Sequence, residues 1–263
     1  MSEIIQPPFG GKQHDLAEDS GTLYQADCAH LLQWLPDASI DLIVTDPPYG
    51  IHYRSNRQRV DRKKSVHGEG SIVVRKHYFE EIENDGVSDF EWLKDAYRVS
   101  KDGSAIYVFA HWSKWPQLTA MAEIAGFSVK NMIVLNKSNH GMGDLKGSYA
   151  PRHELILYAT KGRHELRFPT GREDDIWSVP VKFSGSRKFH PNEKPLNWIT
   201  PAVANSSDAG QTILDPFMGS GTTGIVAVNM DRKFIGCEKD AEYYGISVDR
   251  IDQSLDQKRS NIL

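Results

Sequence analysis

The run Ile-Asp-Leu-Ile-Val-Thr at Ile40–Thr45, closed by Asp46-Pro47-Pro48, limits the possible folds more than any other feature of this chain. It is nearly all apolar and rich in β-branched residues, without the alternation of a strand that wets one face. A run of this kind, stopped by turn-formers, is a strand buried on both sides, and such strands belong to parallel sheets covered by helices. Further strands are expected at residues 22–26, 105–110, 127–135, 154–160, 211–214 and 233–237. Helices are expected at 29–35, 88–100, 113–125, 195–205, Thr222–Asn229 and 241–256. Ser88-Asp89-Phe90-Glu91 reads as a capping box opening the second helix, and Pro195 suits the start of the fourth. Residues 136–152 read as a long loop, and residues 162–193 show no clear periodicity. Strands alternating with helices predict a doubly wound α/β sheet, in which ligands bind beyond the carboxyl ends of the strands.

The 263 residues suffice for a single α/β domain with a full core. Apolar stretches fall far short of the roughly 18 residues of a membrane span. The opening residues, broken by Pro7, Pro8, Gly10 and Gly11, hold no signal-peptide centre. Cys28 and Cys237 make no disulfide framework, and no Cys/His cluster has zinc spacing. The expectation is a soluble, cytoplasmic protein with no metal site.

The net charge of −4 hides a segregation. Residues 51–77 hold Arg54, Arg57, Arg59, Arg62, Lys63, Lys64, Arg75 and Lys76 against only Asp61 and Glu69. A basic segment on an acidic body can grip a phosphate backbone locally while the whole stays soluble. A solvated surface loop would have the same composition.

Two strand ends carry chemistry. The first is Asp215-Pro216-Phe217-Met218-Gly219-Ser220-Gly221-Thr222-Thr223, which follows one strand and opens a helix. Gly219 and Gly221 allow close backbone approach, and the helix start presents free N–H groups. The next strand ends in Glu238, placed to accept hydrogen bonds from ribose hydroxyls. Asp215 would repel a pyrophosphate, so a cationic or amino-acid-bearing nucleoside suits this turn better. The second is Asp46-Pro47-Pro48-Tyr49. The prolines offer carbonyls and no N–H donors, and Asp46 adds an ionised acceptor. The exocyclic amine of adenine or cytosine is a poor nucleophile because its lone pair is delocalised into the ring. The Asp46 carboxylate and the Pro47 carbonyl can each accept one amine hydrogen, pulling the nitrogen toward tetrahedral geometry, while Tyr49 stacks on the base.

This pair of motifs resembles the S-adenosylmethionine-dependent amino DNA methyltransferases, with Asp-Pro-Pro-Tyr at 46–49 and Phe-x-Gly-x-Gly at 217–221. Because the catalytic motif comes first, the order is similar to that of the β-group. The resemblance extends over residues 22–249, including Tyr97-Arg98-Val99, the stretch from Arg152 through His153, Glu154 and Lys161 to Gly162, and His190-Pro191-Asn192-Glu193-Lys194-Pro195. It implies a Rossmann-like, mostly parallel seven-stranded sheet and S-adenosylmethionine as cofactor. Catalytic roles fall to Asp46, Pro47, Pro48 and Tyr49. Cofactor contacts fall to Asp27 with Cys28, Asp215, Phe217, Gly219, Gly221, Thr222, Thr223, Glu238, and the closing segment at Lys194 and Pro195. It implies one catalytic domain over 1–263, with residues 51–87 as a DNA-facing basic loop and 138–189 as a target-recognition insertion. DNA is the implied partner, no membrane is, and a homodimer and a cognate restriction enzyme both stay open. Many relatives carry Trp ahead of the lysine where this chain reads Leu135-Asn136-Lys137, so no catalytic role is assigned there.

Asp rather than Ser at position 46 favours adenine N6 by resemblance, with N4-cytosine as the alternative. An RNA or protein-glutamine amine methyltransferase usually carries the cofactor half first. A non-catalytic DNA-binding relative would not need so complete an acceptor cluster. Methylation at cytosine C5 needs a cysteine nucleophile, usually after proline, whereas Cys28 follows Asp27 and Cys237 follows Gly236.

Overall fold

The computed structural model describes residues 7–48, 90–137, 147, 149–168, 171–179 and 194–260, with the backbone of 59–61 and 75–77. It divides into two compact units, one of residues 1–47 and 90–263 and one of residues 48–89. In the smaller, β4 (Arg59–Asp61) and β5 (Arg75–His77) form an antiparallel ribbon.

The larger unit holds a nine-stranded mixed sheet. Its strands are β1 (Gln13–Leu16), β2 (Gly21–Gln25), β3 (Ile40–Thr45), β6 (Ser100–Ala110), β7 (Ser128–Lys137), β8 (His153–Thr160), β9 (Ile176–Val179), β10 (Thr212–Asp215) and β11 (Lys233–Glu238), in the order β1-β2-β11-β10-β3-β6-β8-β7-β9. From β2 to β6 every neighbour is parallel. Beyond β6 the pairs β6·β8 and β8·β7 are antiparallel, and β9 lies parallel to β7.

All seven expected strands form, but the sheet is not seven-stranded. The two additions are its edges: β1, the polar Gln-His-Asp-Leu, and β9, four residues within the stretch without periodicity. An edge strand pairs on one side only and needs no two-faced apolar run, so it leaves little trace in hydropathy.

The helices are α1 (Cys28–Trp34), α2 (Trp92–Val99), α3 (Trp115–Ala125), α4 (Leu196–Ser206), α5 (Thr222–Asn229) and α6 (Ala241–Ser260). The second begins at Trp92 with Glu91 as its N-cap, not at the capping box, of which Ser88 and Asp89 lie outside the described residues. Among the described residues, no helix is long and apolar enough to cross a membrane.

Strand β6 shows how both faces are covered. Ala105, Tyr107 and Phe109 pack on one side with Trp198 and Val203 of α4, Ile225 of α5 and Ile251 of α6. Ile106, Val108 and Ala110 pack on the other with Leu31 of α1, Leu93 of α2 and Leu118 of α3. This two-sided burial is what the apolar run in β3 anticipated, and it makes the sheet doubly wound. Two stretches of the family resemblance serve this scaffold. Arg98 holds the Leu32 and Leu35 carbonyls at the end of α1, and Lys161 donates to the Tyr97 and Ser100 carbonyls, at 2.8 Å each.

Candidate active site

The parallel block brings five carboxyl ends to one edge of the sheet. Just past them come Asp27 after β2, Glu238 at the end of β11, Asp215 at the end of β10, Asp46 after β3 and His111 after β6. Strand β8 runs the other way, so its first residues, His153 and Glu154, reach the same edge, and β7 ends there at Lys137.

Asp215 fastens the glycine turn to the sheet. It is 3% exposed, and its Oδ1 accepts from the Thr45 hydroxyl at 2.7 Å and from the Phe217 N–H at 3.1 Å. Burial pushes its carboxyl up to about 7, against hydrogen bonds from Thr45, Thr223 and the Phe217 N–H and with the charge of Asp46 adding to the rise. Asp215 therefore holds the turn from beneath. Phe217 meets Trp92 edge-to-face at 5.3 Å, and the Met218 N–H donates to the Cys237 carbonyl at 2.9 Å.

The two glycines differ. Gly219 has φ +51°, and a Cβ placed there meets nothing within 4 Å among the described residues. Gly221, the N-cap of α5 at φ +81°, would bring a Cβ to 3.0 Å from Ser247 Cβ and 3.1 Å from Ile251 Cδ1. Helix α6 thus excludes a side chain there. Thr222 and Thr223, the first residues of α5, are both buried.

The Glu238 carboxylate reaches over the turn. Its Oε2 accepts from the Gly219 N–H at 3.0 Å and its Oε1 from the Asp240 N–H at 2.8 Å, leaving acceptor capacity on both oxygens. Burial raises its pKa, partly offset by these N–H groups. Asp27 caps α1 by accepting from the Ala29 N–H at 3.0 Å, and the Ala26 N–H ties it to the Glu238 carbonyl at 3.1 Å. The Glu238 carboxylate beside the glycine turn, with Asp27 at the neighbouring strand end, suits a cationic nucleoside with a ribose diol. Those side chains do not suit a pyrophosphate.

Cys28 is the first residue of α1. Burial and then the charge of Asp27 push its thiol up to about 12. Cys237 is likewise raised by burial, and its thiol donates to the Ala26 carbonyl at 3.1 Å. Neither thiol supplies a thiolate near neutral pH.

At the other strand end, the Lys194 Nζ stands 3.0 Å from Asp46 Oδ2 and 2.7 Å from Glu154 Oε2, and 5.2 Å from the centre of the Phe109 ring. The Lys137 Nζ lies 3.4 Å from Glu154 Oε1. Burial alone would raise the Glu154 carboxyl, but Lys194 and Lys137 hold it below its ordinary value. Lys194 was expected in the segment closing over the cofactor; its ammonium joins Asp46 to Glu154. Pro195 is the N-cap of α4.

Pro47 ends its part of the larger unit, Pro48 begins the smaller one, and Tyr49 lies outside the described residues. So do Arg54, Arg57, Arg62, Lys63 and Lys64, and most of 51–87. Arg59 falls in β4, and Arg75 and Lys76 in β5, where the backbone alone is described. Within 138–189, the described residues are 147, 149–168 and 171–179.

Glu154, Lys137 and His111 were assigned no function from sequence. A signal existed for Glu154, a lone acid ahead of six buried residues in β8.

A family model described as DNA methylase matches residues 40–249. The chain belongs to the DNA methylase family. Its Asp-Pro-Pro strand end precedes its glycine turn, the order of the β-group. It is similar to the putative methylase YubD of Escherichia coli (strain K12), 30% identical over 231 residues covering 86% of this chain and 88% of that protein. It is also similar to the type II methyltransferase M.HinfI of Haemophilus influenzae, 26% identical over 247 residues, 88% of this chain and 68% of that protein. Among solved structures, the M1.HpyAVI–SAM complex shares the fold with a TM-score of 0.65 and 22% identity, covering 87% of this chain and 98% of that one. The cytosine-N4-specific PvuII DNA methyltransferase shares it with a TM-score of 0.64 and 16% identity, covering 91% and 93%.

Proposed function

We propose that this DNA methyltransferase moves a methyl group from S-adenosylmethionine to the N6 amine of adenine in DNA, with Asp46 and Pro47 as amine acceptors and the turn at 217–221 as the donor's seat. The observation that carries this reading is the 2.7 Å hydrogen bond from Thr45 to Asp215. It sets the residue just before Asp46 directly beside the residue that anchors the glycine turn.

When bound, S-adenosylmethionine supplies a methyl group activated by a sulfonium. Glu238 would accept from the ribose hydroxyls, Asp27 would contact the adenine, and the turn of Phe217, Gly219, Gly221, Thr222 and Thr223 would hold the methionine side. The carboxylates of Asp27, Glu238 and Asp46 at this edge would suit a cationic sulfur. Binding of that donor by M1.HpyAVI, as its SAM complex records, supports the assignment.

The target base has to leave the duplex stack to reach Asp46, and Tyr49 is the aromatic residue available to stack on it. Asp46 and Pro47 each accept one amine hydrogen, which localises the nitrogen lone pair and aims it at the methyl carbon. The N–C bond forms as the C–S bond breaks, and the surplus amine proton passes to water or Asp46. In-line alignment supplies most of the rate. No protein nucleophile is required, in keeping with two thiols raised far above neutrality.

Asp at position 46 supports adenine over cytosine. The cytosine-N4 specificity of PvuII, on a fold of nearly equal similarity, supports N4-cytosine as the second reading. Basic residues of 51–87 are assigned to DNA phosphates, which position without reading sequence, and residues 138–189 to target recognition.

The deciding experiment is direct. Plasmid DNA is incubated with methyl-labelled S-adenosylmethionine and digested to nucleosides. Label in N6-methyl-2′-deoxyadenosine is expected; label in N4-methyl-2′-deoxycytidine would transfer the assignment to cytosine, and unlabelled DNA would overturn it.

A further inference from the structure

With Asp46 as the amine acceptor, two neighbouring charges are left without a role. Resting on that reading of Asp46, we propose that Glu154 and Lys194 act as its positioning pair: Glu154 seats the Lys194 ammonium, and that ammonium keeps the Asp46 carboxylate charged and aimed at the base amine.

The geometry is that of a short relay. From β7, Lys137 reaches Glu154 Oε1 at 3.4 Å; Glu154 Oε2, at the start of β8, holds Lys194 at 2.7 Å; Lys194 meets Asp46 Oδ2 at 3.0 Å. Side-chain exposures of 11% for Lys194, 22% for Glu154 and 25% for Asp46 place the relay at the water boundary rather than in bulk solvent. Within the relay, two carboxylates face two ammonium groups, which offsets the cost of holding them away from water.

A lysine facing one half-exposed carboxylate is a weak device, because its flexible stem loses rotamer entropy for a screened attraction. Glu154 alters that balance. Its hydrogen bond is the shorter of the two, and Phe109 closes one side of the ammonium at 5.2 Å. Lys194 is thus seated independently of Asp46, and Asp46 receives a fixed partner.

The need for a cation comes from the other charged groups near Asp46. Asp215, from β10, interacts with it electrostatically, and two neighbouring carboxylates favour protonation of one of them. Glu154 adds a third acid within the cluster. Among the described residues, Lys194 on the segment before α4 and Lys137 on β7 are cations of this cluster, and His111 after β6 interacts electrostatically with Glu154 and Lys137. A protonated Asp46 would be a poorer acceptor for an amine that turns cationic during transfer. Lys194 also immediately precedes the N-cap of α4, which packs with α5 in the core, so the relay joins the amine acceptor to the helix rising from the glycine turn.

The test compares the full-length wild type with Lys194→Met, Glu154→Gln, both together, and Lys194→Arg. Rates over pH are measured with saturating methyl donor, and donor affinity by calorimetry. Lys194→Met is expected to lower kcat ten- to hundredfold through misplacement. It should also shift the acid limb of kcat/KM upward by about one pH unit, as loss of an adjacent cation requires. Donor affinity should stay unchanged. Glu154→Gln should lower kcat without an upward shift of that limb, because Lys194 keeps its charge beside Asp46 while one acid leaves the cluster. The double variant should be no slower than Lys194→Met, and Lys194→Arg should restore the limb, which a misfolded protein would not do. An unmoved limb in Lys194→Met, or effects that multiply in the double variant, overturns the relay. Weakened donor binding with an unmoved limb also overturns it, returning Lys194 to the cofactor site. If the wild type itself leaves DNA unmethylated, the reading of the site fails instead.

Discussion

The Thr45 hydroxyl donates to Asp215 Oδ1 at 2.7 Å, joining residues 170 apart in the chain and both almost fully buried. Thr45 ends the strand that delivers Asp46, and Asp215 ends the strand that delivers the glycine turn. β3 and β10 are paired neighbours in the sheet, and this hydrogen bond ties their two tips together. Replacing Thr45 by Val keeps the shape and removes a donor from a buried acid. We expect a loss of about 1–3 kcal/mol in stability, measured by urea unfolding, together with slower methyl transfer.

Asp46→Ala removes an acceptor and leaves the glycine turn in place. Methyl transfer to DNA should vanish while S-adenosylmethionine still binds. Turnover at the wild-type rate in this variant would be incompatible with the role given to Asp46.

Asp215 is a group whose folded pKa stands above its ordinary one, about 7 against 3.8. Between those values the folded state binds more protons than the unfolded state. Its contribution to stability is therefore fully present below 3.8 and is lost as the pH rises through about 7. Asp215→Asn should flatten that slope. Melting of variant and wild type from pH 5 to pH 8 should show the variant gaining relative stability at the alkaline end. A constant difference across that range would count against the raised carboxyl.

The two turn glycines should respond differently to alanine. Gly221→Ala faces both a left-handed φ and Ser247 Cβ at 3.0 Å, so the protein should melt at lower temperature and bind the donor weakly. Gly219→Ala faces the left-handed φ, a cost of roughly 1 kcal/mol, while its new methyl meets nothing among the described residues. Its melting point should fall by only about 2–4 °C. Donor affinity should fall, because the methyl enters the space assigned to the donor, and calorimetry separates the two outcomes.

The basic segment makes an ionic prediction. If about four of its eight basic residues meet phosphates, log affinity for duplex DNA should fall with log salt at a slope of roughly −3 to −4. Changing all eight to Ser should bring the slope close to zero. An unchanged slope would mark this segment as solvated surface.

Much of the scaffold could be read in advance because its signals are local. Ile40–Thr45 and Thr222–Asn229 form with the expected bounds, since continuous apolar runs and a glycine turn before a helix are properties of neighbouring residues. The edge strands were missed because Gln13–Leu16 and Ile176–Val179 are strands only through the partners they pair with. The motif places Lys194 on the cofactor side, whereas its partners Asp46 and Glu154 come from just past β3 and from β8. No spacing along the chain records such a meeting.

Hydropathy and turn chemistry thus determined, from the sequence alone, that the chain folds into a helix-covered sheet with an oxygen-rich motif at one strand end and a glycine turn at another. Only the tertiary structure decided that β10 lies beside β3, that Asp215 is buried under the turn, and that Glu154 bridges two lysines next to Asp46. The physical reason is range. Burial patterns and backbone dihedrals depend on neighbouring residues, whereas a carboxylate's charge and hydrogen bonds depend on whichever distant segments folding packs against it.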